Sequence, residues 1–167
     1  MNFQLRPWSM NDVNSLAAYA NNYDIAKFMT DQFPHPYTKE NAEIFIAFVT
    51  KDDPVHIFCI DVEGEAVGGI GIILQTGIHQ KNAELGYWLG QPFWGRGIVT
   101  NAVKKMIAFT FENYDINRIF ARPFATNDAS VRVLEKAGFV LEARFDNALF
   151  KNGQYIDELV YAVRREP

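Results

Sequence analysis

The residues that most constrain the fold of this chain lie between Ala83 and Phe124. An aromatic, strand-like run, "AELGYWLG", leads into a loop bearing Gly95 and Gly97. A helical period then runs from Ile98 to about Asn113, and a second strand, "NRIFARPF", closes the segment. Within the helix Ile98, Ala102 and Met106 align, as do Val99, Val103 and Ile107, while Asn101, Lys104 and Lys105 look outward. The flanking sequence reads as hairpins. "VHIFCIDV" and "AVGGIGIIL" are joined by Glu63-Gly64-Glu65, and "FVLEARFDNALF" and "YIDELVYAV" meet at Lys151-Asn152-Gly153, where Asn-Gly is a strong hairpin signal. Hairpins mixed with crossover helices imply an α+β, three-layer arrangement in which a mixed sheet is covered by helices.

The N-terminal part supplies the remaining elements. "MNFQLRP" alternates enough for a first strand. Ser9, with Asp12 three residues on, forms a capping-box-like start for a helix reaching about Asn21. "DQFPHPYT" is a loop punctuated by Pro34 and Pro36, and Thr38 caps a second helix whose Ala42, Phe45, Ile46 and Val49 share one face. Asn127 or Asp128 caps a shorter helix that ends at Gly138. At 167 residues, without repeat or linker, one domain over 1–167 is expected.

Composition excludes several classes of function. A net charge of −4 argues against nonspecific nucleic-acid binding, which relies on an excess of Lys and Arg. The single cysteine, Cys59, permits no internal disulfide and reads as a packed strand thiol. His35, His56 and His79 are scattered, so no metal site is expected. With neither a signal-peptide pattern nor a membrane-length apolar run, the expectation is a soluble, cytoplasmic globular protein.

The loop "QPFWGRG" sits where a strand ends and a helix begins, which makes it a natural anion site. The first helical N–H groups lack intrahelical partners and the helix dipole favours negative charge there. Gly95 and Gly97 let an oxygen approach the amides, and Arg96 adds a charge. The same glycines also suit a turn that merely needs them. The loop lacks the Lys-Ser/Thr of a P-loop and the third glycine of a dinucleotide fingerprint.

Read together and in order, "AELGYWLGQPFWGRG" and "NDASVRVLEKAGF" resemble the GNAT family of N-acetyltransferases. Within it they resemble the branch that contains the ribosomal-protein N-terminal acetyltransferases, the Rim type. The resemblance runs from "QLRPWSMNDV" to "DELVYAV" and is most specific over Ala83 to Phe139. It implies a mixed, mostly antiparallel sheet whose two middle strands, here "AELGYWL" and "NRIFARPF", splay apart around acetyl-coenzyme A. It further implies that the pantetheine arm pairs with the backbone of Leu85 to Leu89, including Tyr87 and Trp88. The pyrophosphate would rest on the amides of Phe93, Trp94, Gly95, Arg96, Gly97 and Ile98. Trp88, Phe93 and Trp94 would wall the cofactor or pack in the core. The family's phosphate loop usually opens on Arg or Gln, which falls here on Pro92, with Gln91 one residue earlier, so backbone rather than side chain would do the binding.

The downstream segment carries the rest of the implied chemistry. Asn127 matches the residue that contacts the cofactor near its acetyl end, and is equally a helix N-cap. Many members place a tyrosine later on this helix to protonate the departing thiolate. That position is Leu134 here, and Ser130, one turn earlier, is the candidate in its place. The acceptor amine must be neutral to attack. An α-amino group of pKa about 7.8 is roughly 10–15% neutral at pH 7, whereas a lysine amine near 10.4 is below about 0.1% neutral. An N-terminal acceptor therefore asks little of a base, and Glu84, heading "AELGYWL", is the expected one. Phe33, His35 and Tyr37, with Asp31, are expected to border the acceptor site. Asp157 and Tyr155 could reach the same cleft.

The resulting expectation is an N-acetyltransferase using acetyl-CoA as co-substrate, with no metal and with catalytic Glu84 and Ser130. Its partners would be an amine acceptor, most simply a peptide N-terminus, with no nucleic acid or membrane, in a monomer or homodimer. The alternatives are acetylation of a small amine (polyamine, amino acid or antibiotic), a non-catalytic acyl-CoA-binding module, and, more remotely, a nucleotide-binding enzyme.

Overall fold

The structure, a computed structural model, describes residues 2–166. It contains β1 (Gln4–Pro7), a 3-10 turn (Met10–Asp12), α1 (Val13–Ala20), α2 (Tyr23–Ala26), α3 (Lys39–Val49), β2 (Ile57–Val62), β3 (Glu65–Leu74) and β4 (Asn82–Leu89). These are followed by α4 (Ile98–Asn113), β5 (Arg118–Ala121), α5 (Asp128–Lys136), β6 (Val140–Lys151) and β7 (Gln154–Arg164). The strands form one seven-stranded sheet in the order β1-β2-β3-β4-β5-β7-β6. β1–β2, β2–β3, β5–β7 and β6–β7 pair antiparallel, and β4–β5 pair parallel across the α4 crossover. This is the mixed, helix-covered sheet expected from the alternation of hairpins and crossovers. The chain divides into two compact units, 2–71 with Tyr87–Ala102, and Ile72–Gly86 with 103–166.

In the first unit β1, β2 and β3 form an antiparallel meander. The β2–β3 turn places Glu63 at φ 55° and Gly64 at φ 90°, the left-handed pair that a tight hairpin needs. Ser9 and Asp12 form the expected capping box, which starts a 3-10 turn before α1 proper. Thr38 caps α3 in a second box with Asn41. The buried face of α3 is Ala42, Ile46 and Val49, and Phe45 packs edge-on against Trp8 at 5.6 Å. These side chains join Leu16, Ala17, Ala20, Ile25, Cys59 and Trp88 in one apolar cluster. Burial raises the Cys59 thiol to about 12, which leaves it inert as a nucleophile. Beside the cluster, Arg6 joins three elements. Its Nε donates to Asp61 Oδ2 at 2.6 Å, and its Nη1 and Nη2 donate to the two oxygens of Asp12 at 2.8 and 2.9 Å. Both carboxylates are buried, so the guanidinium compensates charges that would otherwise be expensive to desolvate.

The second unit is built on the β6–β7 hairpin. Its turn has Asn152 at φ 51° and Gly153 at φ 76°, as the Asn-Gly pair predicts. β7 pairs β5 from Arg118↔Arg164 to Ala121↔Tyr161. β5 pairs β4 over three residues, Asn82↔Arg118, Ala83↔Ile119 and Glu84↔Phe120. β4 itself runs five residues beyond the last of these pairs. Leu134 of α5 is fully buried, and Val103, Met106 and Thr110 are the buried residues of the α4 face in this unit.

Candidate active site

The glycine turn belongs to the first unit. β4 ends at Leu89, and the Gly90 amide donates to Val67 O at 2.7 Å. A Cβ at Gly90 would lie 2.9 Å from the Tyr19 ring, so the chain passes too close to α1 for any side chain. Pro92 opens a single 3-10 turn over Gln91–Phe93, and Trp94 Nε1 donates back to Leu89 O at 2.7 Å. Gly95 and Gly97 then both adopt φ 74°, a left-handed conformation that glycine takes without steric cost. Among the described residues, nothing lies within 4 Å of a Cβ built on Gly95, and the nearest atom to one on Gly97 is Asn101 Nδ2 at 4.0 Å. The glycines are therefore required by backbone direction, and open space lies where their side chains would stand. Gly97 O accepts the first α4 hydrogen bond, from the Asn101 amide at 3.2 Å. This makes Gly97 the N-cap, and a glycine there has no side chain to cover the amides of Val99 and Thr100.

Two neighbouring side chains hold this turn. Asn22 Nδ2 donates to Gln91 Oε1 at 2.7 Å, and Tyr19 meets Phe93 edge-on at 5.6 Å. Arg96 lies 5.9 Å from the Phe93 ring and is exposed. Asn21, next to Asn22, accepts the Tyr37 amide on its Oδ1 at 3.0 Å. Tyr37 is buried, and burial raises its hydroxyl to about 12. Phe33 stacks between Tyr37 at 5.1 Å and Trp88 at 5.9 Å. Phe33, Tyr37 and Trp88 thus pack with the apolar cluster of this unit, while Trp94 stays 44% exposed.

Glu84, Asn127, Ser130 and Asp157 belong to the second unit. Glu84 pairs opposite Phe120, and Arg122, two residues further along, reaches back to it as a fork. Arg122 Nε donates to Glu84 Oε1 at 2.9 Å and Nη2 donates to Oε2 at 3.1 Å, while Nη1 lies 3.9 Å from Glu158 Oε1. The hydrogen bond to Glu84 raises the Arg122 pKa, with burial opposing it. Asn127 is the N-cap of α5, and its Oδ1 accepts the Ser130 amide at 3.2 Å. Ser130 is half-buried one turn before Leu134, whose position is sealed from solvent. Asp157 accepts the Asn147 amide at 2.8 Å and Arg144 Nε at 3.0 Å, and these bonds hold its carboxyl below the usual range. Tyr155 is exposed and packs on Phe150 at 5.1 Å. Among the described residues there is no group of three or more His, Cys, Asp or Glu side chains arranged to hold a metal ion.

The glycine turn after a strand, followed downstream by the Asn-capped α5, has a family counterpart. Residues 2–140 match the acetyltransferase (GNAT) domain. The chain belongs to the GNAT acetyltransferase family. This GNAT chain is 33% identical over 101 residues to the putative ribosomal N-acetyltransferase YdaF of Bacillus subtilis, a match covering 60% of the chain and 55% of that protein. It is 21% identical to the spermidine N(1)-acetyltransferase of Escherichia coli K12, covering 91% of the chain and 80% of that enzyme. The solved structure of the RimL ribosomal L7/L12 alpha-N-protein acetyltransferase in complex with coenzyme A superposes with a TM-score of 0.86 at 22% identity, over 98% of this chain and 94% of that one. At that identity the likeness establishes the fold.

Three of the residues that make these contacts are not visible in the sequence pattern. Arg122 and Glu158 stand 38 and 74 positions from Glu84, and only strand pairing brings them to it. Asn22 reads in sequence as one of two loop asparagines. The only available signal was the Arg-Pro pair at the end of "NRIFARPF", since proline holds the preceding residue extended.

Proposed function

We propose that this GNAT chain transfers an acetyl group from acetyl-CoA to a primary amine, and that the amine is a protein or peptide N-terminus, as in the Rim-type branch. The observation that carries the cofactor assignment is the left-handed pair Gly95 and Gly97 just before α4, with open space where their side chains would stand. A diphosphate suits that cradle because it is anionic and the amides and helix dipole are electropositive. The backbone of Leu85 to Leu89, beyond the last β4–β5 pair, is the proposed edge for the pantetheine arm.

When bound, acetyl-CoA supplies an activated thioester carbonyl. The chain's own residues do the rest. An N–H within Tyr87 to Leu89 donates to the carbonyl oxygen as negative charge gathers there. Glu84 takes a proton from the acceptor amine through water, a small demand for an α-amino group that is already partly neutral. The Ser130 hydroxyl donates to the departing thiolate, in the place that Leu134 denies to a tyrosine. Asn127 sits one turn from Ser130 and contacts the cofactor's amide region. Phe33, Tyr37 and Asp157 are the proposed acceptor-side residues, the first two through the wall they form with Trp88.

A polyamine acceptor is the second reading, favoured by the spermidine acetyltransferase among the relatives. An acceptor screen with labelled acetyl-CoA separates the two. Peptides beginning with Ser, Ala, Thr or Met should be acetylated at saturable rates, and spermidine should not. Spermidine turnover without peptide turnover would reverse the acceptor assignment. Acetyl-CoA binding without turnover on any amine would make the chain a binding module.

A further inference from the structure

We propose that Arg122 is a positioning residue for catalysis, which aims the Glu84 carboxylate and is itself braced by Glu158. The inference rests on Glu84 being the base. The fork engages both Glu84 oxygens at 2.9 and 3.1 Å, so it fixes the plane of the carboxylate as well as its place. A carboxylate held by one oxygen can swing about that contact, whereas one held by two cannot. Each oxygen keeps a second lone pair for a water that carries the acceptor's proton.

Three features mark this pair off from an ordinary surface ion pair. First, the guanidinium is carried on fixed backbone. Ala121 pairs with Tyr161, Leu159 N donates to Pro123 O at 3.1 Å, and Pro123 restricts Arg122 to extended conformations. Second, Arg122 bridges three neighbouring strands, because Glu158 on β7 stands 3.9 Å from the Nη1 that Glu84 leaves unused. Glu158 is the more shielded of the two carboxylates, with 15% of its side chain exposed against 23% for Glu84. Third, Glu84 forms the last β4–β5 register pair, with Phe120, so its side chain stands where the two strands stop pairing. On the β5 side no further register pair lies beyond it, and Arg122 is the group that engages both of its oxygens.

The test compares Arg122→Ala, Arg122→Lys, Glu158→Gln and Glu84→Gln in the full chain, using steady-state acetylation of an N-terminal Ser peptide, with Tm and acetyl-CoA affinity as controls. Arg122→Ala should lower kcat by about 10- to 100-fold, the cost of a misaligned catalytic group, with acceptor KM and acetyl-CoA Kd nearly unchanged. Guanidinium ion, added well below denaturing concentrations, should restore part of that kcat in Arg122→Ala and none in Glu84→Gln. Arg122→Lys should fall between, because lysine keeps the charge and loses the fork. Glu158→Gln should shift kcat in the same direction by less. Wild-type kcat in Arg122→Ala, alongside a slow Glu84→Gln, overturns the positioning role and leaves the base in place. Wild-type kcat in Glu84→Gln overturns the base and the positioning role with it. A raised acceptor KM at constant kcat would make Arg122 an acceptor contact and overturn the proposal.

Discussion

Replacing Gly97 separates what the turn requires from what a bound phosphate requires. In Gly97→Ala the new Cβ meets open space, its nearest neighbour being Asn101 Nδ2 at 4.0 Å, so overpacking contributes nothing. The cost is conformational, because φ 74° is left-handed and disfavours an alanine by about 1–2 kcal/mol. For a chain of this length each kcal/mol moves Tm by roughly 2–4 °C, so Gly97→Ala should melt about 2–8 °C lower. Asparagine tolerates the left-handed region far better, so Gly97→Asn should recover most of that loss. Its side chain nevertheless occupies the space that Gly97 leaves open. Acetyl-CoA affinity, read by isothermal titration calorimetry, should therefore stay weakened in Gly97→Asn while stability returns. A wild-type melting temperature in Gly97→Ala would refute the backbone requirement. Wild-type acetyl-CoA affinity in Gly97→Asn would refute the close approach, and the glycine would then serve the turn alone.

Ser130→Ala should lower kcat about tenfold with acetyl-CoA affinity unchanged, because the α5 cap uses the Ser130 amide and survives the loss of the hydroxyl; an unaltered kcat would remove Ser130 from the reaction. Asp12→Asn should cost about 3 kcal/mol at neutral pH, since it leaves the Arg6 hub with one buried carboxylate. Burial pushes the Asp12 carboxyl up, but hydrogen bonds from Arg6 and Ser9 and the Arg6 charge outweigh it, so its folded pKa lies below 3.8. That stabilisation is complete above the unfolded value and is lost as pH falls through the folded one. Urea unfolding from pH 7 to pH 2 should thus show a steeper acid loss in the wild type than in Asp12→Asn, and parallel curves would contradict the assignment.

Local signals in this chain carried their elements well. Ser9 with Asp12, Thr38 with Asn41, and Asn152-Gly153 each act within a few residues, and each adopts the cap or turn its chemistry favours. α2 leaves no signal in the sequence because Tyr23–Ala26 is one turn long, too short for a helical period to show. The aromatic side chains before α3 carry no such local signal. Phe33 precedes a proline and Tyr37 follows one, so both look loop-like, yet Tyr37 packs on Phe33, and Phe33 packs on Trp88, which arrives from β4 more than fifty positions away. The ion pairs around Glu84 were illegible for a related reason: any of the chain's arginines could meet a strand carboxylate, and only the β4–β5–β7 pairing selects Arg122 and Glu158.

The adjacent residues Asn21 and Asn22 tie down two different loops, one through the Tyr37 amide and the other through Gln91. Between them is a single peptide bond, so the loop before α3 and the turn before α4 share one anchor. Loop exchange within the family is constrained accordingly. A graft that imports a relative's 31–37 segment, or its 91–97 segment, inherits a mate shaped for its own dipeptide. Grafts that move the asparagine pair together with both loops should keep their geometry, and those that move one loop alone should lose order in the loop left behind.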